Sequence, residues 1–69
     1  MKFNYSKLLG KIKECGLTQA EVAKAIGINK ATLNAKLNGR YCFTTSEILA
    51  VSSILNIPKN EISNYFFAQ

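Results

Sequence analysis

The sequence of 69 residues contains no histidine and no aspartate, and it has no long hydrophobic run. Four glutamates, two cysteines, three tyrosines and the lysines are the titrating groups left for acid–base or nucleophilic chemistry, and no catalytic triad can be assembled from them. Cys15 and Cys42 are separated by 26 residues, and without histidine they cannot supply the four ligands of a zinc site. We therefore expect no enzyme, no small-molecule substrate, no metal and no cofactor.

We also expect no membrane-spanning or secretory segment in this sequence. No uninterrupted apolar run exceeds four residues, whereas a membrane-spanning helix needs about 18 or more. Residues 1–5 lack both the apolar stretch and the cleavage site of a signal peptide. We expect no membrane partner and a location in the cytoplasm, where the two cysteines would be reduced and mostly buried packing residues.

The composition is that of one small globular domain that spans residues 1–69. Hydrophobic residues make up 48% of the chain and charged residues 19%, which favours folding over disorder. The net charge of +5 is unevenly placed, because residues 1–40 carry eight cations and two anions, and residues 41–69 carry one cation and two anions. A basic half is typical of proteins that bind nucleic acids or other anionic surfaces, although many small proteins are basic only for solubility.

Apolar spacing by three and four residues predicts an all-α fold without strands. The five predicted helices cover about residues 5–15, 19–26, 30–37, 45–55 and 59–66. Thr18 and Thr44 each stand three residues before a glutamate, which is the pattern of a capping box at a helix start. Gly10 lies inside the first helix, and a close helix crossing would explain it.

The aromatic C-terminus raises the question of a dimer. At least one of Tyr65, Phe66 and Phe67 should fold back to complete the core, and one of them could be left for a partner. Leu49 and Ile54 lie off the main apolar stripe of the fourth helix and raise the same question. A homodimer therefore stays open at this stage.

The most informative stretch covers residues 19–39. Two helices of about eight residues are joined there by a turn that begins at Gly27, where glycine allows a positive φ without cost. Ala23 is small where the two helices cross, and Leu33 is apolar where it closes the hinge from the other side. This pattern predicts a helix-turn-helix.

The chain resembles the Cro and repressor family of phage and bacterial helix-turn-helix proteins. The residues that carry the resemblance are Gln19, Val22, Ala23, Gly27, Ile28, Leu33, Leu37, Asn38 and Gly39. The chain looks most like the short Cro-like or repression-modulator proteins of phages of Gram-positive bacteria, because residues 5–12 read YSKLLGKI and residues 65–67 are aromatic. The resemblance implies a compact five-helix domain of the lambda-repressor type in a bacterial host cell.

The resemblance also implies which residues would meet DNA, with the second motif helix in the major groove. The implied base-reading residues are Asn29, Lys30, Ala31, Asn34 and Ala35. The implied phosphate contacts are Thr18, Gln19, Lys36, Asn38, Arg40 and Tyr41. Lys30 can donate to guanine and Asn34 can bond adenine, whereas the alanines offer only apolar contact to a thymine methyl. Lys36 stands where the family commonly has an apolar or aromatic residue, and we expect its stem over the core edge with its ammonium in solvent near a phosphate.

Two functions follow as hypotheses. The first is a Cro-like transcriptional regulator that binds double-stranded operator DNA, either as a monomer or as a homodimer on half-sites about 34 Å apart. The second is an antirepressor or modulator that binds a phage repressor protein and has weak or no specific DNA binding of its own.

Overall fold

The computed structural model describes residues 3–68, which form five α-helices and no strand. The helices are α1 (Ser6–Glu14), α2 (Gln19–Ile26), α3 (Lys30–Leu37), α4 (Thr45–Ile54) and α5 (Ile62–Phe66), and a 3-10 turn at Lys59–Glu61 precedes α5. The expected all-α fold with five helices is confirmed.

Local side-chain chemistry defines the starts of α2 and α4. The Thr18 hydroxyl accepts a hydrogen bond from the Glu21 amide at 3.1 Å, and the Glu21 carboxylate accepts one from the Thr18 amide at 2.8 Å. Thr44 and Glu47 form the same capping box at the start of α4. Both predicted boxes are present, and they satisfy backbone amides that a helix start otherwise leaves without partners.

The C-terminal part of the chain departs from the predicted helix bounds. Residues 59–66 do not form one helix, because Pro58 has no side-chain cap to offer and the Glu61 amide bonds the Pro58 carbonyl at 2.9 Å in a tighter 3-10 turn. Helix α4 ends at Ile54, since Asn56 adopts a left-handed φ of 56° that stops the helix.

All five helices contribute to a single hydrophobic core. Its buried members are Tyr5, Leu8, Ile12, Val22, Ala23, Leu33, Leu37, Val51, Leu55, Ile57, Tyr65 and Phe66. Phe43, from the loop between α3 and α4, packs edge-on against Tyr5 and Phe66 with ring centroids 5.4 and 5.3 Å apart. The loop that follows the helix-turn-helix is therefore anchored in the core.

The three C-terminal aromatic residues have different environments. Tyr65 and Phe66 are buried, whereas Phe67 is half exposed and packs edge-on against Phe3 at 5.5 Å. Leu49 is also exposed, and Ile54 is half-buried. Phe67 and Leu49 are thus apolar side chains that the core does not cover.

Two expectations about small residues are wrong. Gly10 is exposed, and a Cβ at this position would meet no atom within 4 Å, so no close helix crossing explains the glycine. Cys15 and Cys42 are free thiols, but both are exposed rather than buried. Cys15 follows the last residue of α1, where its thiol lies 3.9 Å from the carbonyl oxygen of Leu55, and Cys42 lies in the α3–α4 loop.

Candidate functional site

The helix-turn-helix is built from α2, a three-residue turn and α3. Gly27 has a φ of 83°, and the Ile28 amide bonds the Ala23 carbonyl at 3.0 Å, which closes α2 in the manner of a glycine C-cap. The Asn29 side chain then accepts from the Thr32 amide at 2.7 Å and caps α3. Ala23 and Leu33 are both about 1% exposed, so the hinge between the two helices is closed by buried side chains, as the sequence predicts.

Four of the five predicted base-reading residues are exposed. They are Asn29, Lys30, Ala31 and Asn34, and the fifth, Ala35, is half-buried. The carboxamide oxygen of Asn29 is engaged in the α3 cap. The outer surface of α3 is therefore formed by one cation, two alanines and polar amides, and we call these five residues with Asn38 the α3 surface.

Three amide side chains are hydrogen-bonded in series across α2 and α3. The Asn34 Nδ2 donates to Gln19 Oε1 at 3.2 Å, and the Asn38 Nδ2 donates to Asn34 Oδ1 at 2.9 Å. We call these three residues the amide chain. The contact among these residues has little signal in the sequence, where only the spacing of four between Asn34 and Asn38 indicates that two of them are neighbours on one helix.

Lys36 does not hold its ammonium in solvent, and that expectation is wrong. Lys36 is 8% exposed; its Nζ lies 2.5 Å from Glu47 Oε1 and 3.3 Å from the Cys42 carbonyl oxygen, to which it donates. A buried ammonium needs an anionic or polar partner, and the carboxylate in the first turn of α4 supplies one. In this arrangement the Lys36 charge is paired within the fold.

Glu47 has two roles in the fold, of which the sequence pattern predicts only the helix cap. Its Oε1 accepts from the Thr44 amide at 2.9 Å as well as from Lys36. Burial raises the pKa of Glu47, but the hydrogen bonds from Lys36 and Thr44 and the charge of Lys36 outweigh burial and hold the pKa below its ordinary value. The Lys36–Glu47 ion pair joins the end of α3 to the start of α4.

The other predicted phosphate contacts lie at the two ends of the motif. Arg40 and Tyr41 are exposed in the loop after α3, and Thr18 is exposed at the start of α2. The Thr18 hydroxyl and amide are both engaged in the capping box, which places the Glu21 carboxylate at this helix end. A carboxylate there opposes the attraction that a helix N-terminus otherwise has for a phosphate.

Within residues 3–68 there is no pocket and no group of three or more His, Cys, Asp or Glu side chains that could hold a metal ion. No helix in this range is long and apolar enough to cross a membrane.

The fold and the site define an all-helical domain organised around a helix-turn-helix. The chain belongs to the family described as "Protein of unknown function (DUF739)", which matches residues 1–69. It is similar to the solution structure of the modulator of repression (MOR) of the temperate bacteriophage TP901-1 from Lactococcus lactis, with 39% sequence identity and a TM-score of 0.79. The match covers 97% of this chain and 90% of the phage protein.

No curated protein matches the sequence. The expected resemblance to phage regulatory proteins is confirmed by the structural match, and the matched protein is a modulator of repression rather than a Cro protein.

Proposed function

We propose that this chain is a modulator of phage repression in a bacterial host cell and that it acts by binding a phage repressor protein through the α3 surface. The observation that carries the proposal is the match to the TP901-1 modulator of repression, at 39% identity over 97% of the chain. The similarity extends from α1 to the C-terminal aromatic residues and is not confined to the helix-turn-helix. That motif alone would be weak evidence, because it occurs in proteins of unrelated function.

The chemistry of the α3 surface supports a protein partner. Lys and Arg side chains on phosphates supply nearly all of the nonspecific affinity of a protein for DNA and a large share of the specific affinity. In α3, which is described throughout, Lys36 is paired with Glu47, and Lys30 is the cation that forms no ion pair. The rest of the surface consists of small and uncharged side chains, which can approach a protein surface closely.

A second function, binding of double-stranded operator DNA as a transcriptional regulator, has its own supporting observation. Lys30 and Asn34 are exposed on α3, where a helix in the major groove would present them to guanine and adenine. Lys24 and Arg40 are exposed on either side of α3 in the chain and add positive charge. The test of the proposal must therefore separate the two partners.

The test is a calorimetric titration of the purified chain with the repressor of the same phage, using Ala31→Arg as the variant and Ser63→Arg as the control. Both positions are exposed on helices and receive the same charge. We expect wild type to bind with a Kd in the micromolar range or below, Ala31→Arg to weaken binding tenfold or more, and Ser63→Arg to leave it unchanged.

The same variants titrated with operator DNA give the opposite expectation for the second function. An added arginine on a groove-binding helix retains or increases DNA affinity at low salt. Failure of the wild type to bind the repressor, together with a preference of about 10³-fold for operator over unrelated DNA that Lys30→Ala reduces, would replace the proposal by the second function.

A further inference from the structure

The amide chain differs from ordinary surface amides because its members bond each other. Asn34 and Asn38 are exposed and Gln19 is half-buried, and two consecutive bonds of 3.2 and 2.9 Å join their side chains. Side chain to side chain bonds are a minority of protein hydrogen bonds, since exposed amides usually bond water or backbone. Two of them in series therefore fix the orientation of side chains that would otherwise rotate in solvent.

Asn34 is the central member, and the two bonds fix which groups it presents. A carboxamide has two N–H donors and an oxygen with two acceptor sites. Asn34 uses one donor toward Gln19 and one acceptor site toward Asn38, so one N–H and one acceptor site remain. If the Asn34 amide alone rotated by 180°, it would set donor against donor and acceptor against acceptor at its two bonds.

We propose that the amide chain binds the repressor as one unit, in which Asn34 is the contact residue and Gln19 and Asn38 position it. This inference rests on the proposed function. The donor and acceptor that remain on Asn34 match a group that offers an acceptor and a donor side by side, which is the chemistry of a peptide or carboxamide group on the partner. An amide already held in its binding orientation loses less conformational freedom when the partner arrives.

A double-mutant cycle on repressor affinity tests the coupling. We expect Asn34→Ala to weaken repressor binding about tenfold and Gln19→Ala or Asn38→Ala to weaken it several-fold. Each double variant with Asn34→Ala should bind no worse than Asn34→Ala alone, because the positioning residues act only through Asn34. Asn64→Ala in α5 removes an exposed asparagine outside the amide chain, and we expect no effect from it alone or in combination.

A second measurement tests the hydrogen bonds of the amide chain in the free protein, without a partner. Gln19→Ala and Asn38→Ala should each shift the side-chain amide resonances of Asn34 in an ¹⁵N–¹H spectrum, while Asn64→Ala leaves them in place. Circular dichroism checks that every variant is folded.

The outcomes separate the inference from the proposed function. Repressor binding by the wild type with additive single effects, or Asn34 resonances that do not respond to Gln19→Ala, overturns the inference and leaves the proposed function standing. Failure of the wild type to bind the repressor overturns both.

Discussion

Ser52 places a hydroxyl group inside the core. The residue is 5% exposed, and within residues 3–68 its Oγ has no hydrogen-bond partner. A buried polar group without a partner costs about 1–3 kcal/mol. Ser52→Ala removes the hydroxyl with almost no change of shape, and we expect it to raise the free energy of unfolding by about 1 kcal/mol, which raises Tm by about 4–8 °C in a domain of this size.

Urea unfolding followed by circular dichroism measures this change. Ser53→Ala alters an exposed neighbour in the same helix, so we expect a change within about 0.5 kcal/mol. If Ser52→Ala lowers the free energy of unfolding, the hydroxyl has a stabilising partner and the account of this residue is wrong.

The ion pair of Lys36 could not be predicted from the sequence. Its partner Glu47 lies 11 positions away and already has a local explanation as the third residue of a capping box. Nothing in the spacing indicates that α4 presents this carboxylate to α3, because that contact depends on the tertiary packing of the two helices. For the same reason the sequence does not indicate the hydrogen bond between Asn34 and Gln19 in the amide chain, because these residues are 15 positions apart.

Helix α1 contains a glycine that lowers its stability. Gly10 is exposed in the middle of the helix, and a Cβ there would meet no atom within 4 Å. Glycine costs about 1 kcal/mol relative to alanine in a helix interior. We therefore expect Gly10→Ala to raise the free energy of unfolding by about 1 kcal/mol in a denaturant titration.

Gly27→Ala is the matched control for that variant. A Cβ at Gly27 also has open space around it, but its φ of 83° is one that alanine adopts only with strain. We expect Gly27→Ala to lower the free energy of unfolding by about 1–2 kcal/mol. A loss of stability in Gly10→Ala would mean that α1 needs the flexibility of glycine.

The junction of α3 and α4 should make stability depend on pH. The pKa of Glu47 is lower in the folded chain than its ordinary value of 4.5, so its contribution is complete above that value and is lost as pH falls through the folded pKa. We expect the free energy of unfolding to decrease as the pH is lowered from about 4.5. In Glu47→Gln, which does not titrate, this fall should be smaller when denaturant titrations at pH 7 and pH 3 are compared. An equally steep fall in the variant would show that other groups cause it.

Prediction from sequence succeeded where an element is defined by local chemistry. The capping boxes and the glycine at the helix-turn-helix turn place α2 and the start of α4 correctly, because the side chains concerned bond within their own turn. The predicted start of the last helix, at residue 59, lies before the observed start at Ile62 because Pro58 is compatible with both an α-helix start and the observed 3-10 turn. The cysteines were wrongly expected to be buried because residue type alone indicates average burial, not position.

At the scale of the whole molecule, the small surface limits the area that can bind a partner protein. The accessible surface is 4486 Å², and a standard protein interface of about 800 Å² per partner would cover roughly a fifth of it. The α3 surface alone is one face of an eight-residue helix together with its two capping residues. We therefore expect a repressor interface to extend onto the loop after α3, where Arg40 and Tyr41 are exposed.

The uneven charge gives the whole molecule an attraction for any polyanion. The net charge is +5, and the cations concentrate in residues 1–40. Nonspecific attraction to DNA falls steeply with salt, whereas an interface of small and uncharged side chains depends on salt much less. Salt dependence thus separates binding that the charge alone produces from binding by the α3 surface.

Fluorescence anisotropy of the labelled chain is the most direct test of the central claim. The chain is titrated in parallel with the phage repressor, operator DNA and unrelated DNA, at about 50 and 200 mM salt. The account predicts that the repressor still binds at the higher salt, while both DNAs bind equally and weakly and are lost there. Binding of operator DNA with a preference of about 10³-fold at the higher salt, with no change in anisotropy on addition of the repressor, would contradict it.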